Sequence, residues 1–150
     1  MTTAATETST AFLVGDLART MRREFQRELE RVTDEPRLTF AQAKALMHIA
    51  KTPGLRQVDL AERLEVQPIT LARLLDLLAS SGLVERRADP EDRRAHRLFL
   101  CDGAEECMKL VEMAASRIRE RLVKDMSDEQ VVLLQQALKK MTTNLIETAE

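Results

Sequence analysis

Arginine side chains stand at two places in this sequence where they could meet a polyanion. Arg73 lies in a stretch whose apolar residues recur at helical spacing, and Arg93 and Arg94 follow Asp92 in a charged turn. A guanidinium group can donate two parallel hydrogen bonds to guanine, or it can clamp a phosphate. A narrow minor groove also attracts arginine, because it concentrates negative potential. These residues therefore favour recognition of nucleic acid.

No pattern for catalysis or metal binding competes with that chemistry. The sequence has no recognisable Ser/His/Asp set, no glycine-rich phosphate loop and no metal motif. Its soft ligands are His48, His96, Cys101 and Cys107, and no two of them have the close spacing of a zinc site. We therefore expect a protein that is not an enzyme and that holds neither a metal nor another cofactor.

The two cysteines leave a redox sensor open as an alternative. A sensor thiol needs a lowered pKa and access to the oxidant. The sequence around Cys101 and Cys107 indicates neither property, and free cysteines are usually small, mostly buried side chains. We therefore favour a packing role for both.

Composition narrows the kind of nucleic acid and the way it would be bound. Aromatic residues make up 3% of the 150 residues, which disfavours stacking on single strands. The net charge is −2, and residues 56–97 hold eight arginines against eight acidic residues, so recognition must depend on where individual arginines lie. No apolar run is long enough to span a bilayer, and the N-terminal residues lack the features of a secretory signal. We expect a cytoplasmic protein with a mobile tail at residues 1–8.

The elements that would position the arginines are punctuated by proline and glycine. The predicted helices are residues 9–32, 39–52, 57–64 and 68–80, followed by two long helices after Gly103. The first is amphipathic and is expected to stop at residues 33–36.

Capping patterns support two of these helix starts. Thr39 with Gln42, and Ser127 with Gln130, fit capping boxes in which each side chain satisfies a free backbone N–H. Pro68 suits the first position of its helix, where its missing N–H costs nothing.

Two short strands complete the predicted order. Residues 83–87 and 95–100 are expected to form a β-hairpin around a charged loop at residues 88–94. The order helix, helix, tight turn, helix, hairpin is typical of a winged helix-turn-helix, whose second helix enters the major groove with its N-terminal part nearest the bases. The shared core would be Leu60, Leu64, Val66, Leu71, Leu74, Leu75 and Leu78. The outer face of the second helix would carry Gln67, Thr70, Ala72, Arg73 and Asp76.

A family resemblance rests on these segments in combination. Residues 66–76 run into Gly82-Leu83-Val84-Glu85-Arg86-Arg87 and continue through Asp89-Pro90-Glu91-Asp92-Arg93-Arg94-Ala95. This combination resembles the recognition helix and wing of the MarR (multiple antibiotic resistance regulator) family, and the flanking helices also fall where that family has them. The resemblance implies a mainly α fold with a small β-hairpin wing, in which a winged helix-turn-helix adjoins long dimerisation helices. Residues 38–101 would form the DNA-binding lobe, and residues 9–33 and 103–149 the dimerisation helices.

The function implied by the resemblance is that of a ligand-responsive transcription regulator, commonly a repressor. It would bind a pseudo-palindromic operator in double-stranded DNA as a homodimer. The recognition helix would contribute Gln67, Pro68, Thr70, Ala72 and Arg73. In the wing, the resemblance implies that Arg94 inserts in the minor groove, that Asp92 orients the loop and that Arg86 touches the DNA backbone. The residues themselves predict that Arg93 and Arg94 at the hairpin tip can both enter a minor groove, and that Asp92 anchors the loop by a salt bridge.

The resemblance also implies a small-molecule effector, anionic or aromatic, bound between the dimerisation helices and the winged lobe. Arg19, Arg22 and Arg23 are candidate contacts for it. No membrane partner is expected.

Three residues depart from the family pattern. Leu77 stands where arginine is common, Cys101 where threonine is common, and Glu65 where helix-turn-helix proteins frequently have glycine. Leu77 removes one backbone contact or intrasubunit salt bridge. Two alternatives stay open, a cysteine-based redox-sensing DNA-binding regulator and a helical protein-interaction module that does not bind DNA.

Overall fold

The computed structural model of the chain describes residues 9–32 and 38–147. The elements are α1 (Thr10–Val32), α2 (Phe40–Lys51), β1 (Leu55–Arg56), α3 (Gln57–Leu64), α4 (Pro68–Ser80), β2 (Val84–Ala88), β3 (His96–Leu100), a 3₁₀ turn (Asp102–Ala104), α5 (Glu105–Leu122) and α6 (Asp128–Glu147). The predicted tail at residues 1–8 and the predicted helix stop at residues 33–36 lie outside the described residues. The predicted fold class, mainly α with a small β wing, is confirmed.

The sheet has one strand more than the predicted hairpin. Strands β2 and β3 pair antiparallel, and β1 pairs antiparallel with the other edge of β3. Leu55 of β1 lies opposite Leu98, and the Gly54 N–H donates to the Leu98 carbonyl at 2.9 Å. Gly54 has a φ of 81°, a left-handed conformation that glycine adopts without steric cost. A strand of two residues shows no alternation of apolar and polar side chains, so the sequence pattern missed it.

The helix starts follow the capping residues. The Thr39 N–H donates to Gln42 Oε1 at 2.8 Å, and the Gln42 N–H donates to Thr39 Oγ1 at 3.2 Å. Ser127 and Gln130 make the same reciprocal pair at the start of α6. Both predicted capping boxes are confirmed, as is Pro68 in the first turn of α4.

A leucine-rich core holds α2, α3, α4 and the sheet together. Its fully buried members include Leu46, Ile49, Leu60, Leu71, Leu75, Leu78 and Leu98. Full burial of such a side chain stabilises the fold by about 1.5–3 kcal/mol. Three predicted core residues are only half-buried, because they line a cavity between α1, α2, α3 and α4: Leu64, Val66 and Leu74.

The turn between α3 and α4 replaces the usual glycine with Glu65. This glutamate has a φ of 54° and a ψ of 42°, in the left-handed helical region. Its N–H donates to the Glu62 carbonyl at 3.0 Å, and the Val66 N–H donates to the Ala61 carbonyl at 3.1 Å. The chain therefore keeps the tight turn although Glu65 has a Cβ atom, whose crowding in the left-handed conformation costs roughly 1–2 kcal/mol of stability.

The chain divides after Ser116 into two compact units. In the first unit, the C-terminal half of α1 buries Phe25 and Leu29, whereas Leu13 and Leu17 in its N-terminal half are exposed. In the second unit, α6 buries none of its residues. Its exposed apolar side chains are Val132, Leu133, Leu134, Leu138, Leu145 and Ile146. Among the helices of the described residues, none has the length and apolar character needed to cross a membrane.

Candidate nucleic-acid interface

The open face of α4 carries Arg73. The helix buries Leu71, Leu75 and Leu78 on its opposite side, which leaves Arg73 exposed. Arg73 makes no hydrogen bond or ion pair with another residue that the structure describes. Asp76 lies three residues further along α4, but its carboxylate pairs with Arg86 rather than with Arg73. The guanidinium of Arg73 keeps all its donors for an external acceptor.

The other candidates on α4 differ in accessibility. Gln67 precedes the helix, Pro68 occupies its first turn, and both are exposed. Thr70 is exposed as well, whereas Ala72 is half-buried. Ile69 was not among the candidates, yet 63% of its surface is exposed. It precedes Arg73 by four residues, a spacing that places two residues on the same helix face.

Arg86 ties the wing to the helices. Its Nε donates to Gln57 Oε1 at 3.2 Å, one terminal nitrogen donates to Asp76 Oδ1 at 2.8 Å, and the other donates to the Ala72 carbonyl at 3.0 Å. These bonds join β2 to both α3 and α4. A contact from Arg86 to the DNA backbone stays a prediction, and the bonds add a role in fixing α4 against the wing.

Asp89, not Asp92, makes the salt bridges that hold the wing. Its carboxylate is buried and lies 2.8 Å from Arg56 Nε and 3.1 Å from Arg97 Nε. The Glu91 N–H donates to Asp89 Oδ1 at 2.9 Å. This N–H, followed by the Arg97 guanidinium, lowers the pKa of Asp89 to about 2. The sequence placed the salt bridge at Asp92 because Asp92 adjoins the arginines, but the partners come from neighbouring strands.

Asp92 shapes the wing tip through the backbone. Its Oδ1 accepts a hydrogen bond from the Arg94 N–H at 2.9 Å, and its carbonyl accepts one from the Ala95 N–H at 3.0 Å. An aspartate that bonds the backbone two residues further on fixes a turn. The side chains of Arg93 and Arg94 are exposed and have no partner among the described residues.

A groove brings the start of α4 and the wing together. This wing groove has a volume of about 580 Å³. Gln67 and Pro68 line it from the α4 side, and Asp92, Arg94 and His96 line it from the wing. Thr70, Arg73 and Arg93 do not line it. The structure thus brings candidates from two elements together around one groove and leaves Arg73 outside it, on the open face of α4.

A second cavity lies between α1, α2, α3 and α4. This arginine-lined cavity has a volume of about 530 Å³ and is bordered by Arg19, Arg22 and Arg23 of α1. Lys44 and Phe40 of α2 also line it. The Arg22 guanidinium lies 5.5 Å from the centre of the Phe40 ring. The remaining wall includes Leu64, Val66 and Leu74, which come from α3, the tight turn and α4.

The soft ligands show no sign of special chemistry. Burial raises the pKa of the Cys107 thiol, which is the opposite of what a sensor thiol needs. Cys101 is half-buried at the start of the 3₁₀ turn. Within the described residues, no three His, Cys, Asp or Glu side chains group in a way that could hold a metal ion.

Comparisons with known proteins place the chain among regulators. The model of the MarR family matches residues 38–96. The crystal structure of the transcriptional regulator PA3341 is 31% identical, with a TM-score of 0.80, and the match covers 93% of this chain and 99% of that one. A crystal structure of MarR is 28% identical, with a TM-score of 0.79 and coverage of 95% and 94%.

One similar structure contains DNA. It is a mutant MarR from E. coli complexed with operator DNA, which is 27% identical with a TM-score of 0.74. The match covers 86% of this chain and 90% of that one. The family match lies on the segments that hold α4 and the wing, and the structural match extends over nearly all of the chain. The chain therefore belongs to the MarR family of transcription regulators and has their winged-helix DNA-binding fold.

Proposed function

We propose that the protein is a ligand-responsive repressor that binds a pseudo-palindromic operator in duplex DNA as a homodimer. One observation carries the proposal. Arg73 projects from the open face of α4 with all its donors free of described partners, and the start of the same helix forms a groove with Arg94 of the wing. The N-terminal part of α4 would enter the major groove, and the wing would reach the neighbouring minor groove.

Geometry, rather than overall charge, would provide the affinity. The chain is slightly acidic, so long-range attraction to DNA is weak. Asp76 and Asp89 are engaged by arginines of the protein, which removes two carboxylates from competition for the free arginines. Arg73 and Arg94 would then meet DNA without a nearby internal partner.

Exposed apolar surfaces support the homodimer. Leu13 and Leu17 of α1, and the apolar side chains along α6, are left uncovered in a single chain. Large exposed apolar patches mark protein interaction sites. A second copy of the chain is the proposed occupant, because two-fold related α4 helices would match a pseudo-palindromic site.

The arginine-lined cavity supports the effector. Its volume of about 530 Å³ suits a small molecule, and its arginines suit an anion that carries an apolar or aromatic body. Val66 and Leu74 belong to the same wall, so an occupant would press on the tight turn and on α4. Arg19, Arg22 and Arg23 are the proposed contacts, and repression would end when α4 shifts.

A gel-shift experiment on the protein's own upstream region tests the proposal. We expect a discrete complex with that duplex, which disappears when an aromatic carboxylate from a small panel is titrated in. Arg22→Ala should keep the complex but lose the response. Binding no tighter than to an unrelated duplex would contradict the DNA-binding part. Release by the same compounds from both proteins would contradict the effector site alone.

A further inference from the structure

Ile69 occupies an unusual position on α4 for an apolar side chain. It is the second residue of the helix, and 63% of its surface is exposed in the single chain. An isoleucine this exposed gains little from burial, whereas Leu71 and Leu75 of the same helix are fully buried. Its neighbours Thr70 and Arg73 are polar and exposed, so Ile69 forms an apolar spot on the open face.

The direction of the Ile69 side chain places this apolar spot at the N-terminal end of α4, the end that would read DNA. Cα–Cβ bonds in a helix tilt toward its N-terminus. Ile69 therefore projects forward of Arg73, one turn nearer the end that would lie closest to the bases. An apolar group at this point would desolvate whatever base edge it meets.

The major groove offers one apolar group on its base edges, the C5 methyl of thymine. We infer that Ile69 is a specificity-determining residue that packs against a thymine methyl in each half-site, next to the base contacted by Arg73. This inference rests on the proposed binding of duplex DNA. The recognition code of α4 then has a polar part from Arg73 and an apolar part from Ile69.

Leu77 provides a matched control on the same helix. Its surface is 59% exposed, and it lies two turns beyond Ile69. It is therefore equally apolar and accessible but remote from the end of α4 that would lie closest to the bases. Alanine at either position leaves the buried face of α4 unchanged, so both variants should fold as the parent does.

The experiment begins with duplexes selected from a random library by the parent protein. Each thymine of the selected half-site is then replaced in turn by deoxyuridine, which removes only the methyl group. Loss of one buried methyl should weaken parent binding about fourfold in each half-site. Replacement in both half-sites should weaken it roughly fifteenfold, since distant sites act independently.

The variants assign the effect to Ile69. Ile69→Ala should bind the thymine and deoxyuridine duplexes equally, whereas Leu77→Ala should keep the parent's preference. The inference is overturned if no single replacement weakens the parent, or if Ile69→Ala retains the preference. Arg73→Ala tests the proposed DNA binding separately, because this variant should no longer bind the selected duplex whether or not Ile69 packs against a thymine methyl. Failure of the parent to select any sequence would overturn the proposed function and this inference together.

Discussion

Arg73 and Arg94 reach solvent from two different elements, and their surroundings explain why these two arginines remain available. Arg86 and Arg97 belong to the same lobe, yet each pairs with a carboxylate of the same chain, Asp76 and Asp89 respectively. Arg86 and Arg97 are partly buried and paired, whereas Arg73 and Arg94 are exposed and have no partner among the described residues. Sequence reasoning could place Arg73 on an outer face, but it could not show that Asp76 is engaged by Arg86.

Arg73→Ala should abolish specific DNA binding while leaving the fold intact. Arg73 packs no core, and a lost bidentate contact to guanine costs about 1–3 kcal/mol in each half-site. Fluorescence anisotropy at fixed salt, with the selected duplex, measures the loss. Arg63→Ala is the charge-matched control, since Arg63 is also exposed but lies on α3. Equal affinity of Arg73→Ala and the parent would show that this face of α4 does not read DNA.

Asp92→Ala should weaken DNA binding although it removes a negative charge. The Asp92 carboxylate holds the Arg94 N–H at 2.9 Å, so its loss frees the wing tip. Arg94→Ala should also weaken binding and should lower the salt slope by about one phosphate equivalent per subunit. Affinities across a salt series measure both effects. Tighter binding by Asp92→Ala, with Arg94→Ala unchanged, would reduce the wing to a solvated turn.

The buried Asp89 should make the stability of the lobe depend on pH in acid. Its folded-state pKa of about 2 lies below the ordinary aspartate value of 3.8, so its ionised form stabilises the fold at higher pH. That contribution is present above about pH 4 and is lost as the pH falls toward 2. Asp89→Asn should therefore be less stable than the parent at neutral pH, and the difference should shrink between pH 4 and 2. Urea unfolding at several pH values measures this difference, which a constant gap over the same range would contradict.

The elements show which features the sequence could predict. Helix starts were predictable because their signals are local: Thr39 and Ser127 bond residues nearby in the chain, and Pro68 lacks the N–H that the first turn of a helix leaves unpaired. The short strand β1 was not, because it exists only by pairing with β3, far along the chain. The salt bridge of the wing was assigned to Asp92 for a similar reason. The carboxylate that makes it belongs to Asp89, and one of its partners, Arg56, lies 33 residues earlier in the chain.

The tight turn between α3 and α4 offers a test at this scale. Glu65→Gly should stabilise the fold by up to about 1 kcal/mol, because glycine adopts the left-handed conformation without the Cβ clash. The flexibility of glycine in the unfolded chain offsets part of the gain. Glu62→Gly, inside α3, should instead destabilise by about 1 kcal/mol. Urea unfolding compares them, and loss of stability in Glu65→Gly would show that the glutamate side chain makes a net contribution.

At the scale of the whole molecule, the uncovered apolar surfaces predict a stable dimer. The sequence indicated an amphipathic α1, and the structure buries apolar residues in its C-terminal half but leaves those in its N-terminal half exposed. Light scattering at micromolar concentration should give twice the single-chain mass of 17.0 kDa. Leu133→Glu and Leu145→Glu on α6 should each lower that mass, because a charge would be buried at the interface. A parent that scatters as a single chain would contradict the dimer.

The central claim is that two copies of the chain read one duplex through α4 and the wing. The most direct test is the affinity of the parent for the selected duplex and for a scrambled duplex of equal composition, titrated at 150 mM salt with stoichiometry determined. The account predicts binding at least about 10³-fold tighter to the selected duplex, with two chains per duplex. Equal affinity for the two duplexes, or saturation at one chain per duplex, would contradict it.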